Sequence, residues 1–407
     1  MIDQHMNDRE HQLVRVALVT ITMTPILMVA AREIPATMAI IVTLILMAAA
    51  ISSASLPAVM RNLRQLLTSP GGGAALALVV LAGLSVLWSP IPERGVAHAI
   101  HFGGGLMLAA ISVCIIRVIP VRLPGSMLAI GMGVAAFLVI VDLGMDSGVR
   151  RQLGLATEDY RLNRAAVALA LMLPLASTLL LTKRRLLPLL LVWGLSMIAI
   201  MTSVSSSAQL ALLVLIVTLP LAHIAPLLIH RLIGVGAVSI MLLMPILAPM
   251  ANALIPERIH QAVGYGSLTI RGEIWQETVA FVWDKPFFGW GIEASHILPH
   301  LPEAAGLTQV QRDLLSWGHT HNAPLQLWLE LGAVGAFFAA VAIAGGMRAL
   351  ERLPQNLLPA ASSTFAAAFA VACVSHGAWQ AWWWGLLALI ATAFAASAMK
   401  KDGTAPD

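Results

Sequence analysis

His319-Thr320-His321-Asn322-Ala323-Pro324-Leu325-Gln326-Leu327-Trp328-Leu329-Glu330 ends the one long polar stretch of the chain and begins an apolar run. Asn322 is a good helix N-cap, and Pro324 falls in the first turn, where a missing N–H costs little. A helix is therefore expected to start here. Its free backbone N–H groups and positive dipole end would sit beside His319 and His321, a favourable place for an anion. Asn322, Gln326 and Glu330 recur every four residues on one face. A polar stripe in an otherwise apolar helix turns toward a bundle or a wet cavity. Further along, Gly332 and Gly335 are expected to allow close helix contact. The segment reads as a membrane span with a titratable cluster at its boundary.

The rest of the chain agrees with a membrane setting. Of 407 residues, 59% are hydrophobic and 11% charged, and the mean hydropathy is +0.85. Soluble domains carry about 25% charged residues. The apolar mass is Ala, Leu, Ile, Val and Met in long runs, not the alternating segments of about 10 residues that build barrels. The expected fold is all-α: a polytopic integral membrane protein with about twelve transmembrane helices. The spans are expected near 13–31, 36–59, 73–89, 96–116, 124–143, 163–182, 187–202, 209–225, 233–249, 322–345, 359–376 and 382–399. The first run follows a mixed segment (Asp3, Asp8, Arg9, Glu10) without a small-residue cleavage site, so it reads as a retained span. Cys114 and Cys373 sit inside apolar runs, as core thiols do, and imply no disulfide framework.

Lys and Arg in the short loops give an orientation. Arg61, Arg64, Arg117, Arg122, Lys183, Arg184, Arg185, Arg231, Arg348 and Arg352 fall on one side, joined by Arg9, Arg15, Lys400 and Lys401 near the termini. That side is expected to be cytoplasmic, with both termini there. The opposite short loops carry only Arg32 and Arg94. Three parts follow: a nine-span bundle over 1–249 with a periplasmic loop at about 144–162, a large partly helical periplasmic loop over 250–321, and a three-span segment over 322–407.

Arginine on the non-cytoplasmic side opposes the topological bias. Arg150, Arg151 and Arg161, with Arg164 just beyond, belong to the 144–162 loop region. Long loops cross regardless of charge, and headgroups attract arginine. The sharper reading is an anionic substrate, since the guanidinium fork grips phosphate at two points. In the large loop, Trp275, Val279, Val282 and Trp283 share one helical face. An amphipathic helix on the membrane surface and a plain packing helix both fit. Pro286-Phe287-Phe288-Gly289-Trp290-Gly291 then stops the helix and permits a tight turn.

At these residues the chain resembles the O-antigen ligase and polymerase superfamily. The likeness rests on Arg271-x-x-x-Trp275, Pro286-x-x-Gly289-x-Gly291, and His321-Asn322-x-x-Leu325-Gln326-x-x-x-Glu330-x-Gly332-x-x-Gly335, with Trp88-Ser89-x-x-Pro92 as a further element. One departure is visible. A Ser-Arg pair common after the seventh span is here Ser203-Val204-Ser205-Ser206-Ser207, so no role of that arginine carries over.

The resemblance implies an enzyme like the C-type glycosyltransferases, facing the periplasm from the bacterial inner membrane. Its donor would be a glycan on undecaprenyl pyrophosphate and its acceptor a hydroxyl of lipid A–core, with membrane lipids around it and no nucleic acid. Arg161, Arg164 and Arg271 are then candidates for the pyrophosphate. His321 is the candidate catalytic residue, either as general base or as a hydrogen-bond donor to phosphate. His319 is the less favoured base. Glu330 would orient one of these groups, with Asn322, Gln326, Arg150 and Arg151 as supporting candidates. No Asp-x-Asp motif occurs, so no metal and no cofactor is expected, and displacement would be direct and inverting. His98 and His101, three apart with no third ligand, read as packing or headgroup contacts. Trp379, Trp382, Trp383 and Trp384 with His376 read as an interfacial anchor, or as the wall of a lipid-entry cleft. An O-antigen polymerase with the same donor is the nearest alternative, and a lipid or polysaccharide transporter is one of another class.

Overall fold

The computed structural model describes residues 8–119, 121–254 and 269–398. Part of the expected large loop (255–268) and the basic Lys400 and Lys401 lie outside the described residues. The chain begins with α1 (Asp8–Ala30), α2 (Ile34–Ser52) and α3 (Leu56–Thr68), then α4 (Pro70–Leu84), α5 (Pro92–Val118), α6 (Gly125–Gly144) and the short α7 (Gly148–Gln152). It continues with α8 (Asn163–Leu181), α9 (Leu186–Thr202), α10 (Ser206–Ile224) and α11 (Pro226–Leu254). The polar stretch holds α12 (Thr269–Asp284) and α13 (Gln309–Leu315). Then follow α14 (Ala323–Leu350), α15 (Leu358–Val374) and α16 (Ala381–Ser397).

The protein is an all-helical polytopic membrane protein. Among the described residues nine helices are long and apolar enough to cross a membrane, and three more apolar helices, α9, α15 and α16, are shorter. The expected twelve is reached only by counting these three, which at 17 residues reach about 26 Å. Large apolar side chains such as Leu44, Ile100, Ile130, Leu190, Val235 and Phe337 face outward, as the hydrocarbon requires.

The bundle is built around α8. Every residue from Ala165 to Leu180 is buried, because α6, α9, α10 and α15 surround the helix. Contacts from Ser89 to Ile292, from Ser205 to Asn163 and from His321 to Ser375 tie together the loops of one face, called the site face below. The basic short loops lie at the other end.

Three expectations are corrected. The span placed at 36–59 stops at Ser52, where Ala54 turns at φ +49°. The chain then enters α3, an amphipathic helix with Arg61 and Arg64 outward and Val59 buried. The α12 helix is a packing helix: Ile274, Trp275, Phe281 and Val282 are buried against α11, α13 and α14, while Trp283 is exposed. Trp379, Trp382 and Trp383 are interior residues, not interfacial anchors.

A fourth correction concerns α14. Gly332 does not serve a helix crossing; it breaks the helix, at φ 65° and ψ −163°. A broken helix at membrane depth survives only if protein satisfies the freed backbone groups. Here the 286–291 turn enters the break. Trp290 N donates to Leu329 O at 2.9 Å and Gly291 N to Glu330 O at 2.9 Å. Beyond the break, Ala333 N donates to Pro286 O at 2.7 Å and Val334 N to Phe287 O at 3.2 Å. Gly291, at φ +90°, lies against the Ser89 backbone, where a Cβ would come within 2.6 Å. Ser89 Oγ donates to Ile292 O (2.7 Å) and Ile292 N to Ser85 Oγ (3.1 Å). Three sequence motifs thus interlock at one point.

A Cβ at Gly332 would meet the Phe287 carbonyl in a left-handed conformation. Gly332→Ala is expected to cost about 1–3 kcal/mol from the conformation alone, read as a lowered thermal midpoint in detergent. An unchanged midpoint would contradict the inserted turn.

Candidate active site

Glu330 sits two residues before the break, fully buried. Five hydrogen bonds converge on its carboxylate. Oε2 accepts from Glu293 N (2.6 Å) and Trp379 Nε1 (2.6 Å). Oε1 accepts from Ser295 Oγ (2.7 Å), Ser295 N (3.3 Å) and Gln326 Nε2 (2.9 Å). Gln326 Oε1 in turn accepts from Ala378 N at 2.9 Å. The polar stripe therefore clamps two loops, 293–295 and 378–379, onto α14. Glu330 orients backbone and an indole; no hydrogen bond joins it to His319 or His321.

Above the stripe, Asn322 is the N-cap, its Oδ1 accepting from Leu325 N at 3.0 Å. Thr320 Oγ1 donates to Asn322 O (2.7 Å), and Trp275 Nε1 on α12 donates to Thr320 O (2.8 Å). Between these fixed neighbours His321 is held at φ +51°, a conformation that costs a non-glycine residue about 1–3 kcal/mol and gathers at functional sites. Its backbone N–H donates to His319 Nδ1 at 3.1 Å, and the two rings lie 4.0 Å apart. His321 Nδ1 is 3.4 Å from Ser375 O.

These contacts give the two rings opposite tautomers. His319 Nδ1 is an acceptor, so a neutral ring carries its proton on Nε2. His321 Nδ1 faces a carbonyl, so its proton belongs there and Nε2 keeps the lone pair. Both rings are neutral at pH 7. Burial, then His321, His296, Arg271 and Arg164, push His319 down to about 3. Burial and Arg271 push His321 down to about 4, against the pull of the Ser375 carbonyl.

The arginines divide into two groups. Arg271, on the first turn of α12, and Arg164, on the first turn of α8, stand near the histidines and act on His319 together. Arg164 also lies over the Trp382 ring at 4.5 Å and approaches Glu33 at the rim. The other three hold their own loop together. Arg150 is buried: Nε donates to Asp142 Oδ2 at 2.7 Å, Nη1 to Ala156 O and Glu158 O, and Nη2 to Ser147 Oγ. Arg151 donates to Asp146 O (2.8 Å) and Arg161 to Glu158 Oε2 (2.6 Å).

Two further groups emerge, one not named from the sequence and one read there only with the tryptophan run. Glu293, buried and at φ +69°, accepts from Arg94 Nε at 3.3 Å, with His296 Nε2 at 3.3 Å and His98 Nδ1 at 3.6 Å. Arg94 and His98 lie some 200 positions away on α5, and no spacing signals them. His376 is the second: its ring meets Trp382 edge-on at 4.7 Å and Trp383 at 5.0 Å. Its place at the head of the tryptophan run was the available signal.

Two half-buried guanidiniums, two neutral histidines and two saturated carboxylates thus gather on one face of the helical bundle of a membrane protein. Residues 189–340, from α9 into α14, match the family model described as O-Antigen ligase, and this match supports membership of the O-antigen ligase superfamily. No match is found among curated proteins.

Two outcomes follow. Glu330→Gln places an amide N–H among five donors. Each donor left unmatched costs about 1–3 kcal/mol, so the thermal midpoint should fall clearly, and a wild-type midpoint would remove the hub role. Separately, the unfolded chain protonates its histidines near 6.5, whereas folded His319 and His321 stay neutral down to about 3 and 4. Their contribution to stability is whole above 6.5 and is lost as pH falls below it toward 4. Denaturant midpoints at pH 7.5 and 5 check the sign.

Proposed function

We propose that the protein is a glycosyltransferase of the bacterial inner membrane. It transfers an O-antigen glycan from undecaprenyl pyrophosphate to a hydroxyl of lipid A–core, with the site face toward the periplasm. The observation that carries this reading is the pair of close histidine rings, 4.0 Å apart, with Arg271 within electrostatic reach of both and Arg164, from a segment more than a hundred residues away, within reach of His319. The family match supports the donor and acceptor class, and the basic loops at the opposite end support the orientation.

In this reading the acceptor hydroxyl attacks the anomeric carbon opposite the leaving oxygen. A new C–O bond forms, the bond to the pyrophosphate oxygen breaks, and the configuration inverts. The hydroxyl proton passes to the His321 Nε2 lone pair. Negative charge grows on the departing pyrophosphate, where Arg164, Arg271 and the His319 Nε2–H receive it. Such preorganised donors are worth about 3–4 kcal/mol each in the barrier. The absence of an Asp-x-Asp motif from the sequence supports a step without a divalent metal. Arg161, engaged with Glu158, and Arg150, engaged with Asp142, stand outside this machinery.

The test is transfer in vitro with purified protein, lipid-linked glycan and core lipopolysaccharide. Arg164→Ala and Arg271→Ala should each lower kcat by about 10²-fold or more, His321→Ala by about 10²–10⁴-fold, and Arg161→Ala by far less. Full activity of His321→Ala would remove the base. Lengthening of the donor without modification of core would make the protein a polymerase, and inhibition by EDTA reversed by Mg²⁺ would overturn the metal-free step. Because His321 is deprotonated above about 4, kcat/KM should hold level from pH 8 to 6 and fall only as pH approaches 4. An acid limb near 6.5 would contradict its burial.

A further inference from the structure

Among the described residues, six buried side-chain polar atoms lack a hydrogen-bond partner, and two of them lie beside Arg164: Asn163 Oδ1, on the preceding residue, and His376 Nε2, while Arg164 Nη1 itself meets the exposed Glu33 carboxylate. Asn163 and Arg164 are the first two residues of α8. His376 follows α15 and is only 8% exposed. Trp382 links them, with the Arg164 guanidinium over its ring at 4.5 Å and the His376 ring edge-on to it at 4.7 Å. Native proteins leave few buried polar groups unmatched. His376 Nε2, buried and unmatched beside the indole that the Arg164 guanidinium covers, marks a place for a ligand.

The neighbours decide the ligand's charge. The groups close enough to act on His376 are Arg164, His319, His321 and Arg271, two cations and two neutral rings. A neutral imidazole offers one N–H and adds no further charge to a pocket that already holds two guanidiniums. The Asn163 amide, turned about its last torsion, offers an N–H in place of its oxygen. The first-turn backbone N–H groups of α8 supply the same polarity. Apart from Glu33, which meets Arg164 at the exposed rim, the groups named here can each present a donor, and an acceptor-only anion answers them.

We infer that His376 Nε2–H and the Asn163 amide hydrogen-bond, beside Arg164, one phosphoryl group of a diphosphate. The head of α8 and the 375–380 loop then supply half of the diphosphate site, and Arg271 with His319 the other half. The inference rests on the pyrophosphate reading above. It adds a binding role for His376 and Asn163, both outside the segment that matches the family model.

The test is binding of farnesyl diphosphate to the full-length protein in neutral-lipid nanodiscs. His376→Phe keeps a ring against Trp382 and Trp383 but removes the N–H, whereas His376→Gln restores a donor. The Phe variant should bind at least tenfold more weakly and the Gln variant within about threefold of wild type. Inorganic pyrophosphate should compete. Wild-type affinity of His376→Phe alongside loss in Arg271→Ala would reduce His376 to packing and leave the pyrophosphate reading standing. No change in either variant would remove the reading itself. Displacement of the probe by phosphatidylglycerol, but not by pyrophosphate, would assign the site to a lipid headgroup and overturn the inference. If thermal unfolding shows the Phe variant to be unstable, Asn163→Leu carries the test, and unchanged affinity there overturns the assignment.

Discussion

Hydrocarbon offers no hydrogen bonds, so a helix interrupted within a membrane protein must have its freed N–H and C=O groups answered by protein. At Gly332 the 286–291 turn supplies that answer on both sides of the break. The site depends on this one insertion. With the turn seated, Ile292 docks on Ser85 and Ser89. Glu293 and Ser295 then fall within reach of Glu330, and Glu330 in turn collects Gln326 and Trp379. The frame under the histidines is built largely from main chain, which loses little freedom on each encounter with substrate and holds reacting groups in register.

Charge is arranged around that frame by saturation. Two carboxylates lie near the cluster, and both are occupied. Glu330 has five donors, and Glu293 faces Arg94, His98 and His296. Among the described residues neither forms an ion pair with Arg271 or Arg164, and the acidic partner of Arg164, Glu33, is 62% exposed at the rim. Burial lowers the Arg271 pKa, yet a guanidinium remains charged at any physiological pH. The result is a fixed positive potential where screening is weak, bordered by rings that burial keeps neutral.

What the sequence revealed, and what it hid, divides along physical range. The start of α14 was legible because capping is local: Asn322 accepts from a residue three positions away. The apolar runs were legible because span length is set by the bilayer. The break was not, since a glycine in a membrane helix reads equally as a packing residue, and the turn that fills the break lies some forty positions earlier. Nor was the engagement of Arg150, whose partner Asp142 belongs to the preceding helix. Glu293 and Arg94 are 199 positions apart. His376 is a single histidine beside tryptophans, and only the enclosure of both by α8 and α16 gives it neighbours. The site was thus readable where it is made of neighbours in sequence and hidden where it is made of neighbours in space.

The enclosure of α8 carries a consequence for how the protein is made. The helix is buried from Ala165 to Leu180, and part of its wall is α15 and α16, which leave the ribosome long after it. During synthesis α8 must wait in the lipid with Arg164 at its head, unprotected until the carboxyl-terminal hairpin arrives. The surroundings of α8 are therefore completed only after these later helices arrive. A chain that stops short of Trp382 would expose its most enclosed helix, and membrane quality control would meet an arginine where the finished enzyme presents an indole.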